Sequence, residues 1–410
     1  MTENKNNIGL LLRDFNVIGG IERVATTLSN ELSKHYNVFV IVYSNKNRLF
    51  DFSGKLLILD QNAQSNKIIH RFTRSFKKFF MLRNFVKKYN LGSIISFGEH
   101  PNILNILSRS TNNSILTIHS YKSKEESERR DFRGVVNKVL IRFLYNKSDK
   151  IITVSRSLKK DLVSNFNLQE RKIVPIYNPF NTDDIIKRSS EPLSTEFQKK
   201  SNAKRLITIG RICHTKAFWH LIRSFSEVKK EFADIELVII GEAFLDVEIK
   251  IKDQLLTLIN ELNLEDCIRF IDYTENPYNL LKSADIFVSS SILEGFGNVI
   301  VESMICCLPV IFPDCKAGPR EILAPGSRDV NLKDKIEFAE FGILTPVCDG
   351  KFRNAYEPLT NEEKFLLDAI KVLLNDKNMS KDYSDKGKAR AFDFDSKRII
   401  NEYLEIINEN

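Results

Sequence analysis

The sequence predicts an α/β protein made of two doubly wound domains that face a cleft. Three observations carry that expectation. Short apolar runs of strand length alternate with longer amphipathic stretches, the pattern of a parallel sheet covered by helices on both faces. The alternation lapses over a polar, aperiodic segment from Ser189 to Lys204 and then restarts. The chain has 410 residues, more than one hydrophobic core usually serves.

Composition narrows the class further. An apolar content of 42% and a charged content of 28% fit a soluble globular chain. No apolar run reaches the roughly eighteen residues of a membrane-spanning helix. The polar segment Met1–Asn7 leads directly into a strand, so no signal peptide is expected. The six cysteines lack C-x-x-C spacing, and several lie in apolar segments, as small core residues in a reducing cytosol do. A cytoplasmic protein with no cofactor, no metal and no nucleic-acid partner is expected.

Ile8–Leu12 is the first strand, and the loop after it holds Gly19-Gly20-Ile21-Glu22-Arg23 before an amphipathic helix that runs to about Lys34. A strand, a glycine-containing loop and a helix suit phosphate binding. The loop is not G-x-G-x-x-G, so it carries no dinucleotide fingerprint. Strands follow at Val38–Tyr43 and Leu56–Leu59, then a helix from about Asn66 to Tyr89, and short strands at 93–96, 115–118, 151–154 and 173–176. Domain boundaries are expected at 1–188 and 204–395. The second half opens with the strand Arg205–Ile209, then a helix from Ala217 to Glu231 and strands at 236–240, 268–271 and 286–289. After Asp349 the chain is mostly helical. Its last helix, about Ser396 to Ile407, places Ile399, Ile400, Tyr403, Leu404 and Ile407 on one face.

In doubly wound sheets, ligands sit beyond the carboxyl ends of the strands. Gly19-Gly20, His119, Arg211 and Glu294 all directly follow predicted strands. Two carboxylates, Glu294 and Glu302, flank a turn, Gly295-Phe296-Gly297-Asn298, that opens a helix after an apolar strand. Glycines let backbone N–H groups approach a ligand, and a helix N-terminus offers unpaired donors and a positive dipole end to phosphate. Taken alone, Glu294 is a helix cap and Glu302 a solvated residue; between two apolar strands the pair instead describes a nucleotide-sugar site. Arg211 leaves a strand and Lys216 stands before a helix, so both can reach one anion. His119, at a strand end, suits a hydrogen bond to a sugar hydroxyl or a phosphate.

With these residues in place, the chain resembles the retaining GT-B glycosyltransferases of family 4, particularly from Leu206 to Leu323. Asp285–Asn298 resembles that family's E-x7-E region, and Leu308–Ile311 and Gly318–Leu323 follow it as they do there. Gly210-Arg211 with Lys216 resembles its G-R-x4-K element, Gly19–Arg23 its N-terminal Gly-Gly loop, and His119 its cleft histidine. The resemblance implies two Rossmann-like domains, with residues 396–410 crossing back onto the first. It implies that Arg211 and Lys216 bind the donor diphosphate and Glu302 the ribose. Glu294, Gly295 and the backbone of Phe296, Gly297 and Asn298 would hold the sugar and β-phosphate, Gly19-Gly20 would approach the diphosphate, and His119 would contact the transferred sugar. Two departures stand out: Ala217 where a glycine usually follows the lysine, and Gly241-Glu242-Ala243 in place of G-x-G. The first is expected to matter little at a helix start; the second puts a ligand contact near Gly241 in doubt. The Gly-Pro-Arg-Glu-Ile-Leu form and Trp219–Ile222 look like the branch that builds lipid-linked oligosaccharides, lipopolysaccharide and capsule, with a UDP-hexose or UDP-N-acetylhexosamine donor. A UDP-sugar epimerase or a non-catalytic glycan- or lipid-binding protein would share the architecture.

Charge is uneven. The net charge is +8, and from Gln61 to Gly98 the chain has no acidic residue while Lys67, Arg71, Arg74, Lys77, Lys78, Arg83, Lys87 and Lys88 are basic. Ile68, Ile69, Phe72, Phe76, Phe79 and Phe80 recur there at helical spacing. One reading is an ordinary core-facing helix; the other is a basic amphipathic helix, over 67–88, against an anionic membrane surface.

Overall fold

The computed structural model describes residues 5–14, 19–44, 51–60, 68–108, 113–128, 132–199, 203–327 and 332–409. The side chains of 68–75 and 126–137 and the whole of Lys67 lie outside the described residues, so part of the predicted basic stretch does too. The chain divides into two compact units, Met1–Asn181 with Phe394–Asn410, and Thr182–Asp393.

The first unit runs β1 (Asn7–Leu12), α1 (Gly20–Leu32), β2 (Asn37–Val42), β3 (Lys55–Ile58), α2 (Ile68–Tyr89), β4 (Leu91–Phe97) and α3 (Glu99–Ser108). It continues with β5 (Asn113–Ile118), α4 (Lys122–Glu128), α5 (Phe132–Tyr145), β6 (Lys150–Thr153), α6 (Arg156–Phe166) and β7 (Ile173–Pro175). Its strands pair in parallel in the order β3-β2-β1-β4-β5-β6-β7. Alternate residues of β1 serve the two faces, as a strand's period of two requires. Leu10 and Leu12 join α1 on one face, and Leu11 joins Leu82 and Val86 of α2 on the other.

The second unit opens with α7 (Thr182–Ser189), β8 (Lys204–Ile209), α8 (Phe218–Glu231), β9 (Ile235–Ile240), α9 (Asp246–Glu261), β10 (Ile268–Ile271) and α10 (Pro277–Lys282). Then come β11 (Ile286–Val288), α11 (Asn298–Ile305), β12 (Val310–Pro313), α12 (Pro319–Leu323), β13 (Glu337–Phe338), β14 (Ile343–Thr345), α13 (Asn361–Asn375) and α14 (Lys377–Ala391). The sheet order is β10-β9-β8-β11-β12-β14-β13, parallel except for the β13–β14 pair. Strands β9, β11 and β12 are buried throughout, as sheets covered on both faces require. The last helix, α15 (Ser396–Asn408), returns to the first unit, where Ile399, Ile400, Tyr403, Ile406 and Ile407 pack with α1 and β1.

The division falls at Asn181/Thr182, not within 189–204 where composition suggested a linker. The polar segment is pinned to the second unit's surface. Asn276 Nδ2 donates to the carbonyl of Arg188 and to Glu191, Lys199 pairs with Asp285 at 2.8 Å, and Arg269 donates to the carbonyl of Glu196. Helix α7 packs against α10 in the same unit. A segment can therefore look like a linker in composition and still be bound along one side.

Candidate functional site

Gly19, Gly20 and His119 belong to the first unit, and the other predicted site residues to the second. Gly19 is the N-cap of α1 and has extended backbone. A Cβ there would come within 2.5 Å of Glu22 Oε2, so the glycine makes room for that carboxylate. Burial pushes the Glu22 carboxyl up to about 7; the nearby Asp14 adds to this, and backbone N–H groups of Glu22 and Gly19 pull the other way.

His119 follows β5. Its ring stacks on Phe97, with centroids 6.0 Å apart, and Nε2 lies 2.9 Å from Thr117 Oγ1. The Thr117 hydroxyl gives its own hydrogen to the Ser96 carbonyl at 2.8 Å. Thr117 Oγ1 is therefore an acceptor toward His119, and Nε2 must carry the ring proton. Burial, with the charge of Lys122, holds the imidazole down to about 3. His119 is thus neutral near pH 7 and has Nδ1 as an acceptor.

In the second unit, three loops at strand ends are tied together. After β8, a Cβ on Gly210 would lie 3.0 Å from Lys216 Cε, so the Lys216 stem packs across the glycine. Lys216 Nζ reaches Glu294 Oε1 at 2.5 Å, with side chains only 17% and 11% exposed. Burial works against the Lys216 charge, but the Glu294 carboxylate more than offsets it and holds the ammonium above its ordinary value. Two further bonds join the same loops: Ser290 Oγ donates to the Lys216 carbonyl at 3.0 Å, and Ile292 N to that of Thr215 at 2.8 Å.

Ala217, at the N-cap of α8, has φ +46°, in the left-handed region. An alanine pays about 1 kcal/mol or more there relative to glycine. The substitution at this position is thus a local strain and not a neutral change at a helix start. Gly241 answers a different need. Its Cβ would fall 2.1 Å from the carbonyl oxygen of Gly210, so the glycine permits two strand ends to meet.

Arg211 turns away from Lys216 to a partner the sequence did not reveal. Its Nη2 lies 2.6 Å from Glu248 Oε1. Glu248, in the first turn of α9, also accepts from the N–H groups of Phe244 at 2.9 Å and Leu245 at 3.1 Å. Only a fold that juxtaposes two loops could disclose this pair.

Gly297 has φ +90° and caps α11, whose N-terminus receives no side-chain cap. Glu302 lies one turn in and is buried. Gly318, at φ +94°, is needed because its Cβ would lie 1.8 Å from the Phe296 carbonyl oxygen. The Gly318-Pro319-Arg320 turn therefore lies directly on the backbone of the Glu294 loop. Arg320 anchors that turn, reaching Asp314 at 2.6 Å and Glu337 at 2.9 Å.

Beyond these loops, His220 Nδ1 lies 2.7 Å from Glu363 Oε1 and Arg223 Nε 3.0 Å from the same atom, all deeply buried. Burial alone would raise the Glu363 pKa, but the bonds from His220 and Arg223 prevail and hold it low.

Two family models divide the chain. Glycosyltransferase Family 4 matches residues 18–184, and Glycosyl transferases group 1 matches residues 189–340. An uncharacterized glycosyltransferase of Methanocaldococcus jannaschii is 30% identical over 368 residues, covering 86% of this chain and 87% of that protein. The N-acetylgalactosamine-N,N'-diacetylbacillosaminyl-diphospho-undecaprenol 4-alpha-N-acetylgalactosaminyltransferase of Campylobacter jejuni is 28% identical over 391 residues, 95% of this chain and 96% of that one. Among solved structures, Anabaena HepE in complex with UDP and glucose superposes with a TM-score of 0.74 at 16% identity, over 98% of this chain and all of that one. At that identity the last likeness speaks to fold alone.

Proposed function

Because the chain belongs to the GT-B glycosyltransferases of family 4, we propose that it moves a sugar from a UDP-sugar to a hydroxyl of a lipid-linked or surface glycan, with retention at the anomeric carbon. The observation that carries this reading is the Lys216–Glu294 pair beside the uncapped start of α11. It sets a cation, a carboxylate and helix-end N–H donors at the ends of two neighbouring strands. The diphospho-undecaprenol substrate named for the C. jejuni relative supports the lipid-linked acceptor, and the UDP in the HepE complex supports the donor class.

As the sugar–oxygen bond breaks, positive charge grows on the anomeric carbon and negative charge on the leaving phosphate. Fixed cations and helix-end N–H groups aimed at that charge lower the barrier. Lys216 and Arg211 take the diphosphate, releasing Glu294 and Glu248 in part. Glu294 then turns to the sugar hydroxyls, with the backbone of Gly295, Phe296, Gly297 and Asn298 around the sugar and β-phosphate. Glu302 accepts from the ribose diol, and Gly19 and Gly20 leave room for the diphosphate. His119, neutral with Nδ1 free to accept, takes a hydrogen bond from a sugar hydroxyl; it is not a proton donor to the leaving group. With Arg and Lys supplying the positive charge, the reaction needs no divalent metal. Residues 67–88 supply a contact to the inner face of an anionic membrane, where such an acceptor resides.

The test is a panel of nucleotide sugars, scored by thermal stabilisation and by UDP release with and without acceptor. Selective stabilisation by one UDP-sugar is expected. A change in the sugar without acceptor would point to an epimerase, and binding without UDP release to a non-catalytic protein.

A further inference from the structure

Helix α2 was open to two readings, and the placement of its phenylalanines separates them. Leu82 and Val86 fill the core, but Phe76 and Phe80, one turn apart, are 65% and 60% exposed. A stripe that merely covered the sheet would not leave two phenylalanines in water.

A second element repeats the pattern. Helix α5 buries Ile141 and Tyr145 and exposes Val139, Leu140 and Phe143, the last by 64%. It too has no acidic residue along its length, while its Lys138 and Arg142 are exposed. Topology sets the two helices on one face. The connections β3→β4, β4→β5 and β5→β6 all step the same way along the sheet, so right-handed crossovers put α2, α3 and α5 together. The step β1→β2 runs oppositely and puts α1, with α15, on the other face. Helix α3 packs against both α2 and α5, and its Leu107 is exposed.

We infer that α2, α3 and α5 together form a docking surface for an anionic phospholipid bilayer, with α5 as a second anchor. Exposed apolar side chains set among exposed cations, Lys77 beside Phe76 and Arg142 beside Phe143, suit headgroups of negative charge above an acyl layer. The acidic neighbour α4 does not cancel this charge, because its Glu125 is held by Lys122 at 2.8 Å. No helix among the described residues is long and apolar enough to cross a bilayer. Attachment would therefore be interfacial. The inference deepens the lipid-linked-acceptor reading but does not depend on the donor assignment.

The experiment is co-sedimentation of the full chain with vesicles of phosphatidylcholine alone or with 30% phosphatidylglycerol, at low and high salt. Strong binding to the anionic vesicles is expected, weakened by salt and nearly absent with phosphatidylcholine alone. Leu140→Ser with Phe143→Ser on α5, and Phe76→Ser with Phe80→Ser on α2, should each lower binding at least tenfold. Melting temperature and UDP affinity should stay at their wild-type values in both variants, since these side chains face solvent. Wild-type binding by the α5 variant would overturn the two-helix surface. Failure of the parent protein to bind, or a dimer that the α5 variant dissolves, would overturn the membrane as occupant. Loss of UDP binding in the parent protein would count against the donor reading alone.

Discussion

Lys216 Nζ and Glu294 Oε1 lie 2.5 Å apart although 78 residues separate them in sequence. The pair is largely shielded from water, so each charge depends on the other. Lys216→Met should cost about 1–3 kcal/mol of stability, because it leaves the Glu294 carboxylate unpaired. Adding Glu294→Gln should recover part of that loss, and the coupling should be about 0.5–3 kcal/mol. Transfer should fall on the order of a hundredfold in the lysine variant. Urea unfolding with turnover measures both; additive effects on stability would deny the pair its energetic meaning.

Glu302 is buried in α11, and the proposed role needs it as an acceptor for the ribose diol. Glu302→Ala should weaken UDP binding by about 1–3 kcal/mol. Calorimetry with UDP and with a ribose-free diphosphate reads this directly. The variant should lose affinity for the first and keep it for the second; equal losses would remove Glu302 from the ribose.

Glu248 binds Arg211 and caps α9 at once, so its substitutions separate two roles. Glu248→Gln keeps an acceptor for the helix N–H groups and removes the charge that holds the guanidinium. Stability should remain within about 1 kcal/mol of the parent, while UDP affinity changes severalfold as Arg211 loses its fixed direction. Unchanged affinity would make Glu248 a cap and nothing more.

Glu22 gives a pH signature. Its carboxyl stands near 7 when folded, above its ordinary 4.5, so folding favours the protonated form. That contribution is complete below about pH 4.5 and is lost as pH rises toward 7. His119 works the other way: its folded value near 3 lies below the ordinary 6.5, and its contribution is lost as pH falls from about 6.5 toward 3. Glu22→Gln should therefore be more stable than the parent at pH 8, with an advantage that shrinks toward pH 5. Thermal melts across that range test it; a constant difference would show that Glu22 titrates alike in both states.

Much of this was legible before any coordinates. The loops after β1, β5, β8 and β11 carry Gly19-Gly20, His119, Arg211 and Glu294, because strand and helix periods mark where strands end. What could not be read were relationships between distant segments. The Arg211–Glu248 pair, the Gly318 turn on the Phe296 carbonyl and the left-handed Ala217 each need tertiary contact to appear. Composition mistook a bound surface segment at 189–204 for a linker. Helical spacing alone also could not say which phenylalanines of α2 would face water, since Phe76, Phe79 and Phe80 fit one stripe equally well.

The central claim is tested most directly by incubating the protein with a UDP-sugar and an undecaprenyl-diphosphate-linked acceptor in excess chelator, and reading the new glycosidic bond by NMR. The account predicts stoichiometric release of UDP and a product with the donor's anomeric configuration, at a rate the chelator leaves unchanged. An inverted linkage, or activity that vanishes in chelator and returns with magnesium or manganese, would contradict it.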